Sequence, residues 1–193
     1  MSAPLLGAKL THLTRYFWAD LMHFTQQFCR TGMPPKKSIQ LDDFDLAILD
    51  QLQINNRTSL QEIGQSVNLS AAAVQRRVRR MEDARVIQSN AAIVDPASVG
   101  RPITIIVEVQ VDSEHADLMD SARSEFAAAP EVQQCYYVTG AADFILVLTV
   151  STMEEYEQLS RRLFLENKNV RHFNTFVAMN RVKAGLRVPL SRT

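Results

Sequence analysis

The chain has 193 residues, 46% of them hydrophobic, with 6 glycines and 7 prolines; it is long enough for the core of one ordinary domain or two small ones, and too apolar to be disordered throughout. Lys and Arg together number 21, as do Asp and Glu, so no global charge draws the protein to nucleic acid and any such site has to be a local patch. The two cysteines, Cys29 and Cys135, are far apart and fit no metal-ligand spacing, which favours reduced thiols in a cytoplasmic protein over a disulfide framework.

The apolar stretch from Leu5 to Phe28 is interrupted by Lys9, His12, Arg15, Asp20 and His23. It falls short of the roughly 20 continuous apolar residues of a membrane span and lacks the apolar core and small-residue cleavage site of a secretory signal. Around Trp18 the pattern allows one amphipathic helix. Gly32 to Ser38, with Pro34, Pro35, Lys36 and Lys37, reads as a basic linker. Residues 1–38 are thus expected to stand apart from the folded body. Met33 as the true start and a genuine docking helix or targeting extension are both open readings.

From Leu41 to about Gln88 the apolar period is helical: Leu46, Leu49 and Leu52, then Leu60, Ile63 and Val67, then Val74, Val78 and Met81. Three short helices are expected in a domain spanning residues 39–100. Ser59 and Glu62 have the spacing of a capping box at the start of the second, and Ser70 precedes the third. Asn68 sits where the chain must turn within two or three residues, a place for the left-handed conformation that Asn tolerates. Two helices joined so tightly form a helix-turn-helix.

After Asp95-Pro96 and Gly100-Arg101-Pro102 the period changes to two. Ile103 to Val111 reads as a strand and Ser113 to Ala129 as a helix ended by Pro130. Val132 to Thr139 and Phe144 to Val150 read as a hairpin across Gly140 to Asp143. Thr152 to Asn167 is helical, with Tyr156, Leu159 and Leu163 on one face, and Val170 to Val182 is the last strand. The order βαββαβ is that of a ferredoxin-like sandwich, here over residues 101–187, with 188–193 as a tail.

At 100° per residue, Val74, Val78 and Met81 point to one side of the third helix and Arg76, Arg79 and Arg80 to the other. A charged stripe is also what any solvated helix carries; its place in a helix-turn-helix is what turns the reading towards DNA, because the second helix of that motif enters the major groove with its N-terminal residues at base edges. Ser70, Ala72, Ala73, Gln75, Arg76, Arg79 and Arg80 are the candidate DNA-binding residues. Gln75 and Arg76 are the best base readers, with bidentate chemistry for adenine and guanine, and Arg79 and Arg80 are mainly phosphate ligands. The alanines permit close approach but offer no hydrogen bond.

No catalytic constellation is present: His12, His23, His115 and His172 are scattered, and no Gly-rich phosphate loop or nucleophile motif occurs. No enzyme and no cofactor are expected. Glu154, Glu155 and Glu157, followed by Arg161 and Arg162, read as a salt-bridged solvated face rather than a metal site.

Leu41-Asp42 followed by Asp45, Ile48-Leu49, Arg57, Leu69-Ser70, Arg76-Arg77-Val78-Arg79-Arg80-Met81-Glu82 and Val86-Ile87 resembles the Lrp/AsnC (leucine-responsive/asparagine-regulator) family over Gln40 to Arg187. Val138-Thr139-Gly140-Ala141-Ala142-Asp143-Phe144 is similar to the family's Gly-x-x-Asp turn. The resemblance implies an α+β fold, a winged helix-turn-helix domain followed by a ferredoxin-like sandwich of the RAM type. It implies a cytoplasmic regulator of amino acid metabolism or transport genes that binds double-stranded DNA, dimerises through its sheets and assembles further into tetramers or octamers. An amino acid effector would bind between those domains, at Thr139, Gly140, Ala141 and Asp143, with Phe176, Val177 and Ala178 nearby. Asp143 would pair with an α-ammonium group or, equally, hold the hairpin turn as a capping carboxylate.

Two positions depart from the family pattern. Ala141 stands where an acidic residue often follows the turn glycine, which bears on the effector. Arg85 stands where a glycine often follows the recognition helix; there it suits the helix dipole and adds a possible phosphate contact. Two rival readings share the architecture: a siroheme-decarboxylase-like enzyme, and an architectural DNA-binding protein of low specificity.

Overall fold

The computed structural model describes residues 39–113 and 115–190. The helix expected around Trp18, the linker Gly32 to Ser38, Met33, Cys29, His12 and His23 lie outside the described residues. The described residues divide into two compact units, one of those up to Asn90 together with those from Arg187 onward, the other Ala91–Leu186. Residues 91–100, expected with the first domain, thus belong to the second unit. There Pro96 accepts the Arg101 N–H at 2.8 Å, and Arg101 reaches the Thr149 carbonyl and Glu155, each at 3.0 Å. Arg187 to Leu190, expected as sandwich end and tail, return to the first unit.

The first unit is three helices, α1 (Asp43–Ile54), α2 (Leu60–Val67) and α3 (Ala71–Asp83). Each begins on a side chain that satisfies free backbone N–H groups. Asp42 and Asp45 form a reciprocal capping box on α1 at 2.9 and 3.1 Å, as Ser59 and Glu62 do on α2 at 2.9 and 3.2 Å. Ser70 Oγ accepts the Ala73 N–H at 3.2 Å on α3. Ile48, Leu49, Ile63, Val67, Val74 and Met81 form the buried core, with Leu41, Leu52, Leu60, Val78 and Leu190 against it. The expected stripe on α1 is rotated: Ile48 is fully buried, whereas Leu46 is only partly so.

Two backbone features set the turn between α2 and α3. Asn68 is left-handed, φ 56° and ψ 43°, as expected. Gly64 is the second: a Cβ there would stand 2.5 Å from the Leu69 carbonyl oxygen, so only glycine lets α2 approach the turn this closely. After α3 the chain closes a Schellman motif, with Arg85 N–H to Glu82 O and Val86 N–H to Met81 O, both 2.9 Å. Arg85 occupies the left-handed position at φ 58°.

Among the described residues no strand follows α3 before the sandwich; residues 84–102 hold only a short 3-10 turn, Ala97–Val99. The strands of the expected winged form are thus not among the described elements, and Gln88 to Ala92 is exposed throughout.

The second unit has β1 (Ile103–Val111), α4 (Ala116–Ala128), β2 (Val132–Tyr137), β3 (Phe144–Val150), α5 (Met153–Ser160) and β4 (Val170–Val177). They form one sheet in the order β2-β3-β1-β4, with antiparallel pairing between neighbours. This is the ferredoxin-like topology expected. Both crossover helices pack into one core with the sheet and so lie on the same side of it, as the usual right-handed connection of parallel strands requires. Ile105, Val107 and Val109 of β1 and Phe144, Leu146, Leu148 and Val150 of β3 face that side, where Met119, Phe126, Tyr156, Leu159, Leu163 and Phe164 meet them. A π-helical turn, Arg161–Leu165, continues α5. The glutamates of α5 are paired or solvated, Glu157 with Arg161 at 3.6 Å and Glu155 with Arg101 at 3.0 Å.

Candidate nucleic-acid interface and effector site

On α3 the buried Val74 and Met81 and the partly buried Val78 define the inner face. Ala72, Gln75, Arg76 and Arg79 define the outer one, all exposed, with Ala73 partly so at its edge. Arg76 and Arg79 have no ion pair or side-chain hydrogen bond among the described residues, so both guanidinium groups are available to a ligand. Ser70 is committed as the helix N-cap, which leaves its hydroxyl proton to donate.

Sequence reading grouped Arg80 with Arg79, and the structure separates them. Arg80 donates to Asp45 through Nη2, and Asp45 is fully buried. Its neighbour Arg77 donates to both Asp42 and Asp45 at 2.8 Å and lies 5.5 Å from the centre of the Phe44 ring. A buried carboxylate shared by two arginines of α3 locks that helix on α1, since a charge out of water persists only when paired and hydrogen-bonded. The Asp45 backbone N–H, with Arg77 adding to it, holds the Asp42 carboxyl below its ordinary range against an opposing effect of burial. The two carboxylates in turn raise the pKa of Arg77, Asp45 more than Asp42. Arg77, Asp45 and Gly64 were not among the candidate residues. Asp42 and Asp45 enter the sequence reading only among the residues that carry the family resemblance, and neither the cap nor the cross-helix pair is read from them. Asp83 also went unmarked: exposed on the turn after Arg79, it places negative charge at the C-terminal end of the outer face.

The candidate effector residues do not converge in one copy. Thr139, Gly140 and Ala141 are exposed in the turn before β3, where the Ala141 carbonyl accepts from Gln110 at the C-terminal end of β1. Gly140 has φ 133°. Asp143 is engaged by the sheet: its carboxylate accepts the Val111 N–H at 2.8 Å, and its own N–H bonds the Val109 carbonyl at 2.9 Å. Phe176 pairs with Ile106, and Ala178 N–H bonds the Thr104 carbonyl at 2.9 Å, both towards the N-terminal end of β1. Three to seven residues of strand separate the two groups, about 10–23 Å at the rise of a β-strand. Alternation divides the second group further, because Val177 is opposite Ile105 and shares the helix side of the sheet. Thr104, not singled out from sequence, has a buried Oγ1 without a hydrogen-bond partner beside Ala178.

On the side of the sheet away from the helices, Ile106, Tyr136 and Phe176 are exposed, with Phe176 and Tyr136 at 50% each. A groove lined by Asp43, Phe44, Ala47, Asp50, Ser66 and Val67 opens on the other unit and borders none of the candidate effector residues. Cys135 on β2 is a free thiol whose pKa burial raises, partly offset by Arg123. No described helix is long and apolar enough to cross a membrane.

Residues 41–82 match the AsnC-type helix-turn-helix domain, and residues 104–188 match the Lrp/AsnC ligand binding domain. An HTH-type transcriptional regulator of Sinorhizobium fredii is 45% identical over 153 residues, covering 79% of this chain and 90% of the relative. The leucine-responsive regulatory protein of Haemophilus influenzae is 31% identical over 151 residues, covering 78% of this chain and 91% of its own. Among solved structures, a transcriptional regulator of Neisseria meningitidis in complex with L-Met superposes with a TM-score of 0.72 at 25% identity, covering 78% of this chain and 97% of that one. With both domains matched in order and relatives aligned over most of their length, this chain belongs to the Lrp/AsnC family of transcriptional regulators, with an AsnC-type helix-turn-helix and a Lrp/AsnC ligand-binding domain.

Proposed function

We propose that this protein regulates transcription by reading double-stranded DNA with the outer face of α3, in response to an amino acid bound between copies of its second unit, at genes of amino acid metabolism or transport. The observation that carries the reading is the pair of exposed, unpartnered guanidinium groups of Arg76 and Arg79 on a helix that Asp45 clamps through Arg77 and Arg80. Gln75 and Arg76 read base edges, Arg79 meets phosphate, and Arg80 meets phosphate with the donors that Asp45 leaves free.

The distance between the turn at Gly140 and the strand end at Ala178 supports an effector site completed by a second copy, which brings the turn of one chain to the strand end of another. The exposed Ile106, Tyr136 and Phe176 support a dimer through the sheet, with tetramers or octamers built on it. The relatives named leucine-responsive or solved with L-Met support an amino acid as the effector class. The test is a salt-controlled shift titration on the protein's own upstream DNA against an unrelated duplex, with and without each of the common amino acids.

Preferential binding altered by one amino acid is the expected result. Arg79→Ala should weaken binding to every sequence and lower the salt slope by about one, whereas Arg77→Ala should lower thermal stability and leave the slope near that of the unaltered chain. Equal, salt-sensitive binding to both duplexes would favour the architectural reading, which Ala71, Ala72 and Ala73 at the reading end support, since their side chains carry no hydrogen-bonding group. Binding to neither duplex would overturn the regulator reading and return the enzyme reading to consideration.

A further inference from the structure

The last described residues run back onto the DNA-binding unit. Arg187 Nη2 lies 2.7 Å from Asp50 Oδ1. The Gln53 side-chain amide donates to the Val188 carbonyl at 3.1 Å, and its Oε1 accepts the Val188 N–H at 2.7 Å. A side chain that meets both backbone groups of one residue replaces a neighbouring strand and fixes the position of an extended segment. Pro189 keeps the backbone extended at the next position by its fixed φ, and Leu190 is partly buried against the three-helix core. The segment offers a cation, a paired peptide group and an apolar anchor, and α1 offers the complement of each. Residues 179–186, exposed throughout, carry the chain from β4 to this segment, which is part of the first unit.

We propose that Arg187–Leu190 is a strap, and that the α1 surface at Asp50 and Gln53 is the docking site for this extended segment, whose occupancy completes the DNA-binding unit. A bundle of three short helices buries little surface by itself, so an added strand of contacts weighs more here than on a larger core. α1 also carries Asp42 and Asp45, which hold Arg77 and Arg80. Loosening α1 therefore loosens the seat of the recognition helix.

Full-length protein is compared with a chain ending at Leu186 and with Asp50→Arg, Arg187→Asp and the double charge reversal. Hydrogen exchange of the α1 and α3 amides, measured without DNA, is the first readout; binding to the upstream duplex is the second and rests on the proposed function. Removing the strap should speed exchange in α1 and α3 by about tenfold and leave β1 to β4 unchanged. Each single reversal should speed it about two- to fivefold, and the double reversal should restore it to within about twofold of the full chain. DNA affinity should follow the same order.

Unchanged exchange in the shortened chain, or a double reversal no better than the singles, would overturn the strap. If the full chain binds no duplex, the regulator reading fails while the exchange rates still decide the strap. If the shortened chain does not fold, as loss of protection in β1 to β4 would show, the single and double reversals decide it.

Discussion

Along α3 one amphipathic helix presents Gln75, Arg76 and Arg79 on an exposed face while Val74, Val78 and Met81 pack beneath them. In the sheet, the candidate effector residues of the turn at Gly140 and of the strand end at Ala178 fall at different ends of β1. The first arrangement is local: residues three and four apart share a helix face by geometry alone. The second depends on strand register, which sets the two groups apart along β1. A face on one helix is thus set by local sequence, and the grouping of residues at a sheet edge is set by register.

The difference extends to what each unit tolerates. Phe126 is fully buried in the sandwich and meets Phe144 edge to face at 5.4 Å and Phe164 in a tilted pair at 5.9 Å between ring centres. Phe126→Ala should cost about 3–5 kcal/mol, the largest effect among these substitutions. The loss should appear as lost exchange protection in β1 to β4, with α1 to α3 keeping theirs. Simultaneous collapse of both sets would show that the two units unfold as one and would break the comparison.

Gly64→Ala is the counterpart in the DNA-binding unit. The new methyl group meets backbone, the Leu69 carbonyl oxygen at 2.5 Å, and backbone at a tight turn moves only with the helices it joins. The expected cost is about 1–3 kcal/mol, read as a lower denaturant midpoint, together with weaker DNA binding as α3 shifts on α2. A variant as stable and as tight on DNA as the unaltered chain would mean that α2 and the turn can separate without consequence.

These two positions also mark what sequence reading reaches. Periodicity and capping spacing place α1 to α3 and β1 to β4, because burial of one face imposes a period and free helix ends demand particular side chains. Phe126 falls within a segment recognised as a helix, and Asn68 within a recognised turn. Gly64 is invisible because its role depends on how closely Leu69 folds back. The Asp45 to Arg77 and Arg80 pairing spans more than thirty positions, and the Gln53 to Val188 contact spans 135. No local period reports pairings at that range.

Acid sharpens the comparison by a smaller amount. The Asp42 carboxyl lies below its ordinary range chiefly through the Asp45 N–H, and in the other unit Ser151, followed by Arg101, does the same for Glu155. A carboxyl whose folded pKa is depressed contributes stability fully present above its unfolded value, about 3.9 for Asp and 4.3 for Glu, and lost as the pH falls through the folded value. Asp42→Asn keeps an acceptor at the N-cap but removes the titration. Below about pH 4 the melting temperature of the variant's DNA-binding unit should therefore fall less steeply than that of the unaltered chain, with the sandwich transition unmoved. Equal slopes would show that Asp42 exchanges its partners for water without loss.

The smallest effect is expected at Arg85, where stability and binding are predicted to move in opposite directions. The residue closes the Schellman motif after α3 in the left-handed region, φ 58°, where a Cβ is strained and glycine is not. Arg85→Gly should raise stability by about 0.5–1 kcal/mol, after allowing for the greater freedom glycine gives the unfolded chain. A higher urea midpoint with an unchanged slope would record it. The guanidinium has no ion pair or side-chain hydrogen bond among the described residues, so its removal costs no contact inside the unit. If the stabilised variant binds DNA less tightly with a shallower salt dependence, the strained arginine is a phosphate ligand at the end of the recognition helix. If binding is unchanged, the backbone strain has no counterpart in DNA affinity. A loss of stability would show that attraction between the cation and the C-terminal end of the α3 dipole outweighs the strain.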